Sequence, residues 1–373
     1  MARIALVQLC SAGDCLYASV VARQIKKDHP DCHLTWVVGD RYASVLDLNP
    51  DVDSVHVVPI ADVRDAINGA WQTAKAWTRD QIAGGNLDKA YYTQICPDNI
   101  WLYDGLIRST IYRAYGKPVE NPHRPTVVLS DLEEARAAAF VRDRNLTKFK
   151  HLFLFECGPQ SQQSSMHPLR AVELAKTLSK RHPDAAFVLS SSLQLTETSA
   201  QVIDASGLTF RENLPLMRYC TGLIGCSSGL TWLSTSASCK TLPMLQVLAA
   251  SSEPFKFASV AADFRRFGGD VEQVIEMADP NDKQILDCME SWINESHSAA
   301  RKQFHQTLRI GSIDAAALYV VVRRKFGALK ALQTLVVFLR TNGISNLPAR
   351  LLLTEPFSFF MGLFRRILPS KSN

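Results

Sequence analysis

Short apolar runs alternate with helix-patterned stretches in two separate series along this chain. That alternation restricts the fold more than any other feature. In the opening "ARIALVQLCSAGDCLYASVVARQIKK", Ala2 to Leu9 reads as a buried strand and Ser11-Ala12-Gly13 as a turn. Leu16, Val20, Val21 and Ile25 then recur at helical spacing. "CHLTWVVGD" and "VDSVHVVPI" give a second and a third strand, with a helical stretch near Tyr42–Leu48 between them. Residues 62–83 read as helix, "LDKAYYTQI" as a fourth strand at about 88–95, and "IWLYDGLIRSTIYRAYG" as a helix that Gly116-Lys117-Pro118 stops. Strands and helices alternating at this spacing predict a parallel sheet covered by helices on both faces.

The pattern pauses at "KPVENPHRPTVVLSDLEEARAAAFVRDRNLTKFKH", which holds Pro118, Pro122 and Pro125 and a charged helix capped by Ser130 with Glu133 three residues on. A second series follows: "HLFLFECG", a helix over Leu169–Arg181, "AAFVLSSS", "LTFREN" and "TGLIGCSS", then a helix from about Leu230. The expected class is α/β, with two similar nucleotide-fold domains facing each other across a cleft. The expected boundaries are a first domain over 1–145, a second over 146–280, a helical region over 281–322 that returns to the first domain, and a tail over 323–373.

A chain of 373 residues with 47% hydrophobic content can bury two such cores. Its nine cysteines have irregular spacing and no CxxC pair, which argues against a disulfide framework or a structural zinc site. No basic region followed by an apolar stretch and a cleavage site opens the chain, so a reducing, cytoplasmic setting is expected. The net charge of +5 is uneven: residues 323–373 hold nine Lys/Arg and one acidic residue, Glu355, leaving 32 basic and 35 acidic residues before them. A body-wide basic face for nucleic acid is not expected. The tail's apolar runs, nine residues from 331 to 339 and nine from 356 to 364, are too short to span a bilayer. As a helix, 329–340 places Leu329, Leu332, Val336 and Leu339 on one side. Phe357, Phe359, Phe360, Leu363, Phe364 and Ile367 lie beside Arg365 and Arg366. Such a pattern suits an amphipathic helix on an anionic membrane, or a terminal helix packed on the first domain.

Two turns carry the chemistry. A strand, a small-residue turn and a helix ordinarily cradle phosphate, yet Asp14 stands where the phosphate would sit, and "LCSAGDC" lacks GxGxxG. Asp14 either complements the helix dipole, for roughly 0.3–1 kcal/mol, or faces a neutral hydroxyl as a general base or steadies a cationic transition state. In "LIGCSSGLTWLSTSAS", Ser227, Ser228 and Gly229 open a helix with backbone N–H groups, hydroxyls and a glycine, an expected anion site with no opposing carboxylate. An ordinary serine-capped turn is the other reading. Cys10 and Cys15 flank the first turn as small packing residues.

The opening "MARIALVQLCSAGDCLYASVVARQIKKDHPDCHLTWVV" with "LDLNPDVDSVHVVPI" resembles family-9 glycosyltransferases, the ADP-heptose:lipopolysaccharide heptosyltransferases. Residues 1–60 carry the resemblance well and 150–250 more loosely. It implies a GT-B fold of two Rossmann-like domains, with the donor held mainly by the second and the acceptor by the first. It leans toward inversion. The reading it leads to is a bacterial transferase moving a sugar from a nucleotide-diphosphate donor to a lipid-linked or lipopolysaccharide-type glycan, metal-independent and with no cofactor. The basic tail would hold it peripherally on the inner membrane. Asp14 inherits the base role, with Ser11 and Gly13 beside the acceptor; Arg108 and Arg113 are candidates for an anionic acceptor. Glu212 sits where such domains bond a ribose, and His167 is a candidate phosphate contact. The family's donor motif reads Asp-Thr/Ser-Gly-x-x-His; here Ser227, Ser228, Gly229 and Trp232 stand in its place, and the lysine expected before Trp-Pro is missing near Ser165, His167 and Pro168. These departures leave the donor open and admit a non-catalytic scaffold that binds a glycan or a partner enzyme, or a sugar-nucleotide epimerase.

Overall fold

The computed structural model describes residues 1–158, 163–196, 198–249, 259–308 and 312–342. In the first domain β1 (Arg3–Val7), α1 (Ala12–Asp28), β2 (His33–Gly39), β3 (Ser54–Val58), α2 (Val63–Ala66), α3 (Gly69–Ala83), β4 (Lys89–Tyr92) and α4 (Ile107–Ala114) follow one another. The sheet order is β3-β2-β1-β4, all parallel, with Ala5 of β1 level with Thr35 on one side and Ala90 on the other. Helix α5 (Asp131–Asp143) carries both halves of a capping box, since the Ser130 hydroxyl accepts from the Glu133 N–H while Glu133 accepts from the Ser130 N–H.

The second domain contains β5 (His151–Glu156), α6 (Pro168–Arg181), β6 (Ala185–Ser190), β7 (Val202–Asp204), α7 (Asn213–Met217), β8 (Gly222–Gly225), α8 (Gly229–Leu233), β9 (Met244–Leu248), α9 (Val260–Phe267) and β10 (Val274–Ala278). Its parallel sheet has the order β10-β9-β8-β5-β6-β7. Chain order reverses between β1 and β4 in one sheet and between β5 and β8 in the other. Open α/β sheets bind ligands beyond the carboxyl ends of strands at such reversals. Both singled-out turns sit there, Ser11–Asp14 after β1 and Ser227–Gly229 after β8.

Several expected elements differ. "LTFREN" is no strand: the Glu212 carboxylate accepts the Thr209 N–H at 2.7 Å and the Thr209 hydroxyl accepts the Glu212 N–H at 3.3 Å, a reciprocal cap that turns the chain into α7. The expected long helix from Ile100 is broken at Gly105, whose φ is 101°, and α4 starts only at Ile107. Helices α10 (Asp282–Asn294) and α11 (His297–Phe304) stay on the second sheet. There the Trp292 ring meets Phe153 edge-on at 5.1 Å, and a Cβ on Gly222 would lie 2.5 Å from that indole.

The return to the first domain is made by α12 (Ser312–Asn342), kinked at Gly327 with φ 84°. It buries Ala331, Thr334, Leu335 and Phe338, while the Lys330 ammonium stands 3.2 Å from the Trp101 ring and the Thr334 hydroxyl donates to the Trp101 carbonyl. The expected row Leu329, Leu332, Val336 and Leu339 is not the buried face, and Leu329 is 71% exposed. Among the described residues no helix is long and apolar enough to cross a membrane. The Phe357–Ile367 run lies outside the described residues.

Candidate active site between the two sheets

A cleft of about 780 Å³ opens between the carboxyl ends of the two sheets, and both turns line it. On the first-domain wall the chain leaves β1, turns at Cys10–Ser11 and enters α1, which puts Asp14 in the first helical turn. Asp14 is half-buried in the cleft lining. Burial pushes its carboxyl up to about 7, against the single backbone N–H of Ser11 that favours the charged form. No cation is among the causes of its shift. The Ser11 hydroxyl makes no cap hydrogen bond and lines the cleft. A carboxyl poised near 7 beside a hydroxyl-rich cavity can take a proton from a bound alcohol at neutral pH.

The turn at Ser227–Gly229 faces it from the second domain but departs from the expected open cradle. Glu156, at the end of β5, lies under this turn. Its Oε1 accepts from the Leu230 N–H at 2.9 Å and the Ser228 hydroxyl at 2.5 Å; its Oε2 accepts from the Cys226 N–H at 3.0 Å and the Thr231 hydroxyl at 3.2 Å. The Ser227 N–H donates to Gln246 at 2.8 Å, and Ser227 itself has φ 50°. A carboxylate therefore does oppose an anion here, in a turn whose backbone also carries the N–H groups of Ser228 and Gly229. Glu156 escapes a motif search because it comes from a neighbouring strand 70 residues upstream of Cys226.

Trp232 stands where a histidine was expected and locks the domains together. Its indole Cδ1 would lie 2.8 Å from a Cβ on Gly13, and its ring centroid is 5.0 Å from that of Tyr17 on α1. Only a glycine lets α1 and α8 approach this closely.

Four expected site residues are not in the cleft lining. Arg108 is 4% exposed and pairs at 2.7 Å with Asp263 of α9, with its guanidinium over the rings of Tyr17 and Phe267. It joins the domains through this buried pair. Arg113 pairs with the buried Asp104 at 2.6 Å, which also takes Arg266 of α9 at 2.6 Å. Glu212, 1% exposed, is taken up by the Thr209 N–H and by Arg136 at 3.1 Å. The ring Nδ1 of His167 accepts from the Arg170 N–H at 3.3 Å, so this exposed side chain caps α6.

Among the described residues the cations that line the cleft are Arg41 and Arg64, after β2 and β3 on the first-domain wall. Their position beyond the carboxyl ends of parallel strands was the available signal. The second-domain wall carries hydroxyls, from Ser190, Ser191, Ser192 and Ser206, with Phe210 and Leu208 among them. An Asp-x-Asp triplet, a pattern able to hold a metal ion, occurs in the sequence at Asp51-Val52-Asp53 but lies outside the cleft lining. There Asp51 faces Arg23 at 3.6 Å and Asp53 pairs with Lys26. Among the described residues no cluster of three or more His, Cys, Asp or Glu side chains is placed to hold a metal ion.

No family model matches the chain. Lipopolysaccharide heptosyltransferase 1 of Campylobacter coli is 30% identical over 60 residues, 16% of this chain and 18% of that relative, so the match spans under a fifth of its length. Among solved structures, a glycosyl transferase family 9 protein from Veillonella parvula superposes with a TM-score of 0.53 at 16% identity, over 81% of this chain and 94% of that one. A Listeria monocytogenes protein assigned as a UDP-N-acetylglucosamine 2-epimerase gives 0.50 at 11% identity, over 87% and 96%. The chain has the two-domain GT-B fold that family 9 glycosyltransferases share with such epimerases.

Proposed function

We propose that the protein is a glycosyltransferase of the heptosyltransferase type, moving a sugar from a nucleotide-diphosphate donor to a hydroxyl of a lipid-linked or cell-envelope glycan. The observation that carries this reading is Asp14: a carboxyl held near 7 by burial, with no cation among the causes of its shift, on the wall of a cleft between two nucleotide-fold domains. Asp14 takes the proton of the acceptor hydroxyl as its oxygen bonds to the anomeric carbon. The bond from that carbon to the diphosphate breaks on the opposite face, which inverts the centre. The N–H groups of Ser228 and Gly229 stabilise the leaving diphosphate, with no metal in the step. Arg41 and Arg64, on the acceptor wall, meet anionic groups of the acceptor. Of the expected membrane tail over 323–373, residues 323–342 belong to α12, and residues 343–373, basic and aromatic in sequence, would hold the protein to an anionic membrane where a lipid-linked acceptor is presented.

A second reading has its own support. Glu156 already occupies the donor-side turn, which suits a GT-B scaffold that binds a glycan or a partner without turnover. Calorimetry of the full chain against ADP-, GDP-, UDP-, CMP- and dTDP-sugars separates the two. Saturable binding of a nucleotide-diphosphate sugar supports the transferase; a folded protein that binds none of them is the scaffold.

A further inference from the structure

Beneath the Asp14 turn lies a buried amide whose role follows from its bonds. Gln94, just past β4 and 2% exposed, reaches across the strand reversal between β4 and β1. Its Oε1 accepts from the Leu9 N–H at 3.0 Å and the Cys10 N–H at 3.2 Å, on the segment that leads into Ser11 and Asp14. Its Nε2 donates to the Ala66 carbonyl at 2.9 Å and the Cys96 carbonyl at 2.8 Å. Ala66 ends α2, the short helix that carries Arg64. One carboxamide thus ties together the strand end that aims Asp14, the helix that presents Arg64 and the Cys96 turn in the cleft wall. Gln8 steadies the same segment, donating to the Cys10 carbonyl and accepting from the Thr93 hydroxyl at 3.0 Å.

Neither amide carries charge, and both ends of each are bonded, so the arrangement is rigid without placing a counter-ion beside Asp14. A lysine or arginine in place of Gln94 would hold the same carbonyls but would stabilise the Asp14 carboxylate and weaken it as a base. Among the described residues the titratable groups coupled to Asp14 are the thiols of Cys10, Cys15 and Cys96 and the Tyr42 phenol, all shifted upward by burial and neutral at neutral pH, and Arg41 and Arg64 line the same cleft. We propose that Gln94 is the positioning residue of this site, fixing the aim of Asp14 and its placement relative to Arg64 through bonds that bring no charge. This rests on the reading of Asp14 as the base.

The test needs no sugar substrate. The pH midpoint of Asp14 protonation is read in the full chain from the pH dependence of carbodiimide–amine labelling of its peptide. It is compared among the parent protein, Gln94→Leu and Gln94→Glu, with circular dichroism to verify folding. The parent midpoint should lie near 7. Gln94→Leu, which frees the segment and admits water, should lower it by a pH unit or more. Gln94→Glu, which keeps the two accepted bonds and adds a charge, should raise it measurably. Folded variants that both keep the parent midpoint overturn the positioning role and leave Asp14 as the base. A parent midpoint near 4 overturns both readings. Loss of the folded state in both variants assigns Gln94 to the fold as a whole and also overturns the proposal.

Discussion

Two turns face each other across the cleft, built alike from a buried parallel strand, small residues and a helix. They differ in what their carboxylate touches. Asp14 belongs to its own helix, accepts one backbone N–H and lines the cavity with its carboxyl near 7. Glu156 comes from the neighbouring strand and is ringed by two backbone N–H groups and two hydroxyls. A carboxylate ringed by donors is spent on the fold, and one with a single donor on a cleft wall is available to a ligand. The same local pattern therefore yields a carboxylate held by four donors on one wall and the proposed base on the other.

The turns stay opposed because Arg108 and Asp263 join their domains through a buried pair, and breaking it should have the largest effect. Asp263→Ala leaves a guanidinium that cannot lose its proton, at a cost of about 3–5 kcal/mol in urea unfolding. Arg108→Met should cost less, and its cost should shrink as pH falls, because Asp263, already near 6 through burial, can take a proton. Equal costs at all pH values would mean that the pair does not carry the interface.

Next come the two carboxylates themselves, which should respond with opposite sign. Glu156→Ala strands the Cys226 and Leu230 N–H groups and should destabilise by about 3 kcal/mol. Asp14→Asn should stabilise. The folded-state value near 7 lies above the ordinary carboxylate value, so the folded protein retains a proton that the unfolded chain releases from about pH 4 upward. Stability is lost as pH rises through this window. Removing the charge should thus raise stability by about 1–3 kcal/mol at pH 8, discounted for the half-exposed position, and by nothing near pH 3. Parallel pH curves for the variant and the parent protein would erase the contrast between the turns.

A smaller effect sharpens the picture of how closely the turns meet. Gly13→Ala gains helix propensity but drives a Cβ to 2.8 Å from Trp232, and the net cost should be about 1–2 kcal/mol in thermal unfolding. A neutral or stabilising result would show that the indole can move.

How much of this was legible in the chain follows from the range of each interaction. The alternating strands and helices are local, and so is the placement of Asp14 after the first strand; reading along the sequence finds them. The partners of Glu156, Gln94 and Arg108 lie on other strands or in the other domain, and no spacing rule announces them. Arg108 and Arg113 read as a helix face for an anion, but Asp263 and the buried Asp104 claim them once α9 packs against α4. In α12 the helix was legible and its face was not. Thr334, polar in sequence, is 1% exposed because its hydroxyl finds the Trp101 carbonyl, while Leu329 stays in solvent.

The most direct test of Asp14 as the base is sugar transfer by Asp14→Asn, measured with a donor that binds in calorimetry and an acceptor carrying the free hydroxyl. The variant keeps an oxygen to accept the Ser11 N–H but can take no proton, so turnover should fall on the order of 10²-fold or more while donor affinity is retained. In the parent protein, turnover should rise with pH through about 7 as the carboxyl ionises. Near-parent turnover in Asp14→Asn, with the same pH profile, would remove Asp14 from the chemistry.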